Sequence, residues 1–499
     1  MNSKDLAATP TVSPEEPGSA IPHDPRRKLI FKQTLHLSIA NVASQGARFL
    51  KNFILAGLLG PVYFGLWNGL QVFLIYGTNA HLGVLHAMAR EIPMSRGAGM
   101  DEKIPTLAST GLTVSLLTSI AAAVLITAAV LLSMGAQAEL LTILLLLPVL
   151  ISQQVFLFYQ FLLRADDEFG SLSRVLAITA VLELLVSLAF VYLFGFNGVL
   201  LGLIAGQGIG ILIAFVSKRR VRLRFEIDYT MMRSLLQTGF PIMLTVLGYY
   251  LLTTIDRLLI ITIAGSETLG YYALGSLAIT ALAYVPITIN QVMYPKFAER
   301  FGSTQDPAAL SGYLRIPTLA TAHTMGFLLG AVIIGLPLVE LLLPKYAPGI
   351  PAARILLAGS YFLSLPGSSV SFLLTIGRQT QYLVFLAGAI ALGALLDVTV
   401  LSFGWGIEGV AAVTGFVYLA HSMISIQSTI SRHSSPNSNP FGPFLGKLFL
   451  PCALAGGLVL VVTHVRLGHV LADVGAQIML FSAVYASVSL WILRREKLW

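Results

Sequence analysis

The chain alternates long apolar runs with short polar connections, and these runs predict its architecture. A helix of about 20 apolar residues spans the hydrocarbon core of a membrane, whereas a membrane β-barrel would show shorter segments of alternating polarity. The pattern therefore predicts an all-α polytopic membrane protein with about fourteen transmembrane helices. The predicted spans are residues 30–58, 64–90, 105–133, 138–163, 171–194, 198–217, 235–263, 269–294, 312–343, 350–376, 381–403, 408–430, 445–464 and 471–492.

Two parts of the chain resemble each other at an offset of about 205 residues. Gly60–Gly65 aligns with Gly265–Gly270, and Gly198–Val199 matches Gly409–Val410. The first twelve spans thus indicate two pseudo-symmetric lobes of six helices, and two parallel lobes around one site are typical of rocking transporters. We predict a disordered cytoplasmic tail (1–28), an N-lobe (29–217), a basic cytoplasmic loop (218–234), a C-lobe (235–430), a linker (431–444), and a C-terminal helix pair with a cytoplasmic end (445–499).

Composition supports a membrane protein and sets its orientation. Hydrophobic residues make up 56% of the chain and charged residues only 11%, well below the share in soluble domains. Most of the 31 Lys and Arg residues fall in connections on one side, which predicts that both termini are cytoplasmic. The net charge of +8 is thereby explained without a nucleic-acid partner. The single cysteine, Cys452, excludes disulfides within the chain and cysteine-based metal sites.

Charged residues interrupt two of the predicted spans near mid-membrane. Arg48 and Lys51 lie in the first span, and Asp256 and Arg257 lie in the seventh. A charge at this depth costs roughly 2.5–3.5 kcal/mol, so such residues usually face a cavity or a partner. The excess of positive charge predicts an anionic cargo. The alternative is hydrogen bonding within a dry helix bundle.

The helical spacing extends this polar face and suggests roles for the charges. Asn41 and Gln45 precede Arg48 on the same face of the first span, so we predict that they also bind cargo. Asp256 occupies the repeat position of Lys51, and one arrangement pairs these two residues. Arg48 and Arg257 would then bind the cargo, and their guanidinium groups suit the oxygens of a phosphate or diphosphate.

Two further sets of charged residues are candidates for supporting roles. Glu183 and Asp397 lie inside the fifth and eleventh spans and, with Asp256, are candidates for coupling H⁺ or Na⁺; a buried, hydrogen-bonded acid is the alternative for each. Arg90, Arg96 and Arg164 close the second and fourth spans on the predicted cytoplasmic side. We consider these three a candidate cytoplasmic gate, although topology anchoring also explains them.

A motif near the start of the chain resembles a known family. It consists of Gly60-Pro61-x-x-Phe64-Gly65-x-Trp67, then Leu82-Gly83, then Arg90-Glu91-Ile92-Pro93 with Gly97. This pattern resembles the opening of polysaccharide-biosynthesis flippases of the O-antigen type, members of the multidrug/oligosaccharidyl-lipid/polysaccharide exporter superfamily. The family's cationic central cavity maps by repeat position onto Arg48, Lys51 and Arg257.

The resemblance implies a function and a place in the cell. The protein would flip an undecaprenyl-diphosphate-linked glycan to the outer leaflet of a bacterial cytoplasmic membrane, with membrane lipids and a glycan polymerase or ligase as partners. Fourteen spans rather than twelve is similar to the lipid II flippase branch, where the added pair lines a groove for the lipid tail. The resemblance therefore leaves open whether the cargo is of the O-antigen or the lipid II type.

Two rival functions remain at the level of sequence. A cation-coupled multidrug exporter of the same superfamily would favour an acidic cavity, which the basic residues disfavour. A membrane glycan polymerase or ligase usually needs large outer loops with catalytic residues, whereas the predicted outer loops are short and nearly uncharged. Soluble-type catalytic motifs such as a phosphate-binding glycine loop or HExxH do not occur. We therefore predict a transporter that is not an enzyme and has no cofactor other than a coupling ion.

Overall fold

A computed structural model of the protein describes residues 25–134, 140–166, 168–217, 223–430 and 441–495. The regular elements in these ranges are helical, with 3-10 turns at Pro307–Leu310 and Pro344–Gly349. The α-helices are α1 (Pro25–Thr78), α2 (Val84–Gly97), α3 (Lys103–Met134), α4 (Leu140–Ala165), α5 (Phe169–Phe194), α6 (Asn197–Ser217), α7 (Tyr229–Leu252), α8 (Ile255–Ile263), α9 (Gly265–Leu282), α10 (Tyr284–Thr304), α11 (Ser311–Leu342), α12 (Ile350–Ser364), α13 (Gly367–Thr375), α14 (Gln379–Ser402), α15 (Gly406–Ile430), α16 (Phe441–Val462) and α17 (Val470–Arg495).

Within the described ranges, thirteen helical segments are long and apolar enough to cross a membrane. The difference from the predicted fourteen lies at the start of the chain. There the first two predicted spans share one helix, α1, which bends at Gly60 (φ 72°, ψ 173°). The second of them continues beyond a break as the 14-residue α2. When the two parts of α1 on either side of Gly60 are counted separately, the protein is an all-α polytopic membrane protein with about fourteen spans.

Two helices begin earlier than the sequence predicted. α1 starts at Pro25, inside the predicted disordered tail, because Arg26, Arg27 and Lys28 are good helix formers that continue the first span. α7 starts at Tyr229, inside the predicted basic loop, because the Asp228 carboxylate caps it by accepting from the Met231 amide at 2.9 Å. The rest of the predicted tail and most of the predicted linker lie outside the described residues.

Glycines at or just before the matched segments of the two halves have positive φ values. Gly60 and Gly265 have φ values of 72° and 88°, and Gly195 and Gly404 have φ values of 57° and 75°. This left-handed region suits glycine because it has no Cβ. We call the end of the bundle that holds these four glycines the glycine end, and the opposite end, which holds Arg96 and Arg164, the arginine end.

The two lobes pack tightly against each other at the glycine end. A methyl group on Gly65 would overlap the Ser266 carbonyl oxygen, and one on Gly270 would overlap the backbone of α1. The buried hydroxyl of Tyr346, on the turn before α12, donates to the Ala56 carbonyl oxygen of α1 at 2.8 Å. These contacts close the space between α1 and α9 at this end.

The C-terminal helix pair is fastened to the C-lobe along α11. The Tyr485 hydroxyl of α17 donates to the carbonyl oxygen of His323 at 2.9 Å, and Nδ1 of His323 lies 3.1 Å from Oγ of Ser489. Gly326 and Gly330 leave room for the Tyr485 and Phe481 side chains, which a methyl group at either glycine would overlap. The pair is therefore attached by specific polar contacts and by interlocking shape.

Candidate functional site

A cavity of about 1290 Å³ lies between the two lobes. Its lining residues come from α1, α2 and α4–α6 of the N-lobe and from α7–α15 of the C-lobe. Four of the five predicted cargo residues line it, namely Gln45, Arg48, Lys51 and Arg257, whereas Asn41 does not. The structure thus brings charges from the first and seventh predicted spans to one cavity.

Lys51 is paired inside its own lobe. Its Nζ lies 2.8 Å from Oε1 of Glu183 on α5, and the two residues are only 4% and 6% exposed. The predicted pairing of Lys51 with Asp256 is therefore wrong. α5 packs directly along α1, so its carboxylate reaches the lysine from within the N-lobe. Lys51 and Glu183 neutralise each other at the cavity wall.

Asp256 is likewise satisfied inside the C-lobe. The Tyr272 hydroxyl donates to Oδ2 of Asp256 at 2.6 Å, and the Arg257 amide donates to Oδ1 at 2.7 Å. Asp256 is 4% exposed and Tyr272 is fully buried. The carboxylate is held between α8 and α9, and both Asp256 and its neighbour Arg257 line the cavity.

Asp397 on α14 lies close to Asp256, with which it lines a second gap of about 10 Å³. Asp397 is 2% exposed, and its Oδ1 has no hydrogen-bond partner among the described residues. Thr414 and Tyr418 add oxygen-bearing side chains to the lining, and its other residues are Leu252, Ile255, Ala389, Gly393 and Val417. This gap has about the volume of a single water-sized sphere.

Arg48 and Arg257 are the cationic pair left at mid-depth in the cavity. Neither forms a salt bridge with any described residue. Nη2 of Arg257 donates to the Thr253 carbonyl oxygen at 2.9 Å, while its Nε is buried and has no partner among the described residues. Arg48 lies on α1 in the opposite lobe, so guanidinium groups from both lobes face one space.

The three arginines of the predicted gate do not form one cluster at the cavity. Arg96 lies 2.6 Å from Asp166 and also donates to the Ala165 carbonyl oxygen at 3.3 Å, which ties α2 to the end of α4. Arg90 is exposed and lies outside the cavity lining. Arg164 alone of the three lines the cavity, with its guanidinium 5.6 Å from the centre of the Phe161 ring.

Several lining residues were not singled out from the sequence as site residues. The N-lobe wall includes the carboxamides of Gln153 and Gln160 on α4 and Gln207 on α6. The first two are seven residues apart, which places them on one face of an apolar helix, and this spacing was a usable signal. The C-lobe wall adds Tyr250, Tyr382 and Tyr418.

The described residues contain no group of three or more His, Cys, Asp or Glu side chains able to hold a metal ion. The polar side chains that line the small gap beside Asp397 are two acids and two hydroxyl groups.

The fold is shared with solved transporter structures. The lipid II flippase MurJ in an inward closed conformation aligns with a TM-score of 0.70 at 12% identity, over 92% of this chain and 99% of that one. A multidrug resistance MATE family transporter in an inward-facing conformation aligns with a TM-score of 0.63 at 17% identity, over 81% of this chain and 96% of that one. A MOP superfamily transporter from Pyrococcus furiosus aligns with a TM-score of 0.57 at 17% identity, over 81% of this chain and 95% of that one. At these identities the similarity is one of fold.

Comparison of sequences identifies the family. No curated protein matches the chain. Residues 30–301, more than half of the chain, match the family of polysaccharide biosynthesis proteins. This match confirms the resemblance seen in the Gly60–Gly65 motif, and the chain belongs to the polysaccharide biosynthesis protein family.

Proposed function

We propose that the protein is a flippase. It moves a polyprenyl-diphosphate-linked oligosaccharide from the cytoplasmic to the outer leaflet of the bacterial cytoplasmic membrane by alternating access, for cell-surface polysaccharide synthesis. The observation that carries this proposal is the pair of guanidinium groups, Arg48 and Arg257, which line a cavity between the lobes and form no salt bridge within the described residues. Guanidinium groups bind phosphate oxygens in a bidentate manner.

Neither arginine forms a salt bridge with an acid among the described residues. Glu183 is paired with Lys51, and Asp256 is held by the Tyr272 hydroxyl. A diphosphate can therefore meet Arg48 and Arg257 without displacing an existing ion pair. Because the two arginines belong to opposite lobes, binding of one diphosphate between them would draw the lobes together and couple cargo binding to rocking.

The remaining lining suits the sugars of the cargo. Each carboxamide of Gln153 and Gln160 offers a donor and an acceptor side by side, as sugar hydroxyl groups require. The tyrosines of the C-lobe wall offer ring faces and hydroxyl groups. The isoprenoid tail of such a cargo would stay in lipid while the head group crosses between the lobes.

We propose that Asp397, together with Asp256, couples transport to H⁺ or Na⁺. Glu183 is less suited to this role because Lys51 already supplies its counter-charge at 2.8 Å. Asp397 retains a buried carboxylate oxygen without a partner, beside a gap lined by Thr414 and Tyr418. A proton or a small cation would satisfy that oxygen.

The decisive test is a deletion strain of the native host, analysed for lipid-linked glycans. We expect one polyprenyl-diphosphate-linked glycan to accumulate on the inner face, and the wild-type gene to restore export. The double variant Arg48→Ala/Arg257→Ala should not restore it at equal protein level. Arg174 is an exposed arginine on α5 outside the cavity lining, so Arg174→Ala is the matched control and should restore export.

Two results would contradict the proposal. One is full export by Arg48→Ala/Arg257→Ala. The other is a deletion strain with normal surface glycan but raised sensitivity to cationic drugs, which would instead indicate a multidrug exporter.

A further inference from the structure

The break between α1 and α2 has an unusual backbone. Leu82 has a φ of 51° and Gly83 a φ of 83°, and a left-handed leucine is rare because its side chain crowds the backbone. The Gly239 backbone of α7, in the other lobe, packs closely against this break. A methyl group on Gly83 would overlap it. Strained backbone held in this way tends to occur at functional sites.

The break fixes the orientation and tautomer of His81. The Gly83 amide donates to Nδ1 of His81 at 3.1 Å. Nδ1 is therefore the acceptor of the ring, and in the neutral imidazole the proton lies on Nε2. His81 is 0% exposed, it lines the cavity, and Nε2 has no partner among the described residues. A buried N–H donor is thus left unsatisfied at the cavity wall.

Two further cationic or donor groups surround the same point. The rings of His81 and His86 lie 5.4 Å apart, and the His86 ring packs edge-on against Phe161 at 5.0 Å. The Arg164 guanidinium lies over the same Phe161 ring. The nearby Asp166 carboxylate is bound by Arg96, so Arg164 forms no salt bridge within the described part of the chain.

This cluster is separated from Arg48 and Arg257 along the axis of the bundle. Measured along the axis of α1, Arg48 lies about 18 Å from Gly60, which is at the glycine end. Arg164 lies in the last turn of α4, at the arginine end, and is exposed there. Both arginines line the same cavity, so it holds positive groups at two depths.

We propose that His81, His86 and Arg164 form a second anion-binding site, the mouth site, which binds a phosphate or diphosphate group before it reaches Arg48 and Arg257. The identity of that anion as the head group of the cargo rests on the proposed function. The mouth site itself rests on the unpartnered Nε2–H, the unpaired guanidinium and the cavity they share.

The test is calorimetric binding of inorganic diphosphate and of farnesyl diphosphate to the full-length protein in lipid nanodiscs. His81→Asn keeps an acceptor for the Gly83 amide but removes the Nε2 donor, whereas His81→Gln keeps a donor near the Nε2 position. We expect His81→Asn and Arg164→Met each to weaken binding roughly tenfold to a hundredfold, the range for a lost hydrogen bond to a charged group. His81→Gln should bind within a few-fold of wild type.

A matched control separates binding from folding. His323→Asn alters a buried histidine outside the cavity, between α11 and α17, and should leave binding unchanged. Thermal unfolding of each variant checks that it is folded. Arg164 is exposed, so Arg164→Met tests the mouth site even if the His81 variants prove unstable.

The outcomes distinguish the mouth site from the proposed function. Wild-type affinity in both His81→Asn and Arg164→Met, with loss in Arg48→Ala/Arg257→Ala, overturns the mouth site alone. Failure of the wild type to bind either probe overturns both proposals. Tighter binding of farnesyl diphosphate supports a lipid-linked ligand at the mouth site, and equal binding of the two probes supports the mouth site with a free phosphate as its ligand.

Discussion

Nζ of Lys51 lies 2.8 Å from Oε1 of Glu183, and this buried ion pair joins α1 to α5 at the wall of the central cavity. The repeat position of Lys51 in the C-lobe is Asp256, which has another acid, Asp397, as its neighbour across a small gap. The N-lobe therefore carries a lysine–glutamate pair at the depth where the C-lobe carries two acids, Asp256 and Asp397. The lobes share a plan of helices but differ in charge at this depth.

The effects of substituting Lys51 and Glu183 on the stability of the protein should depend strongly on each other. Glu183→Gln leaves the Lys51 ammonium buried without a counter-charge, which costs about 3–5 kcal/mol. We expect a clearly lower melting temperature for this variant in detergent. Lys51→Met/Glu183→Leu should regain most of the loss, because apolar residues of similar volume often replace a buried ion pair without penalty.

The exposed pair of Arg96 and Asp166 provides the control for that measurement. Arg96→Gln should change stability by no more than about 1 kcal/mol, since solvent screens the interaction. If Glu183→Gln melts at the wild-type temperature, the carboxylate does not stabilise Lys51 and the ion pair has no structural role.

Close packing at the glycine end should be sensitive to a single methyl group. In Gly65→Ala the new Cβ would overlap the Ser266 carbonyl, so α1 and α9 must separate, at about 1–3 kcal/mol for an overpacked contact. We expect a lower melting temperature. A cysteine placed at Gln71 on the cavity wall, in a Cys452→Ser background, should also react faster with a maleimide that cannot cross the membrane, applied from the glycine end.

Gly46→Ala is the matched control on the same helix. Open space surrounds Gly46, so its substitution should leave labelling unchanged and should stabilise α1 slightly, because alanine favours the helix by up to about 1 kcal/mol. Equal labelling in Gly65→Ala and wild type would show that the lobes tolerate the methyl group without opening.

The gap beside Asp397 should make stability depend on the coupling ion if that ion is Na⁺. In Na⁺ rather than a bulky organic cation, purified wild-type protein should gain up to about 2.7 kcal/mol in the free energy of unfolding at a hundredfold excess over Kd, and should melt at a higher temperature. Asp397→Asn removes the unpartnered carboxylate oxygen and should abolish this difference.

Asp101→Asn, at an exposed acid between α2 and α3, should retain the full Na⁺ effect. An Asp397→Asn protein that is stabilised by Na⁺ as much as wild type would remove Asp397 from the ion-coupling proposal.

The sequence could predict the path of the chain because that path follows from local rules. Apolar length determines where a helix crosses a membrane, and the matched motifs at Gly60 and Gly265 indicated two lobes with one plan. The helical spacing also placed Gln45 and Arg48 on one face, and both line the cavity. Membrane character, span number and family followed from these patterns alone.

The pairing of charges was decided only by the tertiary structure. Spacing along α1 gives the face of Lys51 but not the helix that packs against it, and its partner Glu183 lies 132 residues away. The mouth site has the same origin, because Arg164 joins His81 only when α4 packs against the broken end of α1. Periodicity describes one helix at a time, whereas an ion pair or a binding site depends on which helices become neighbours.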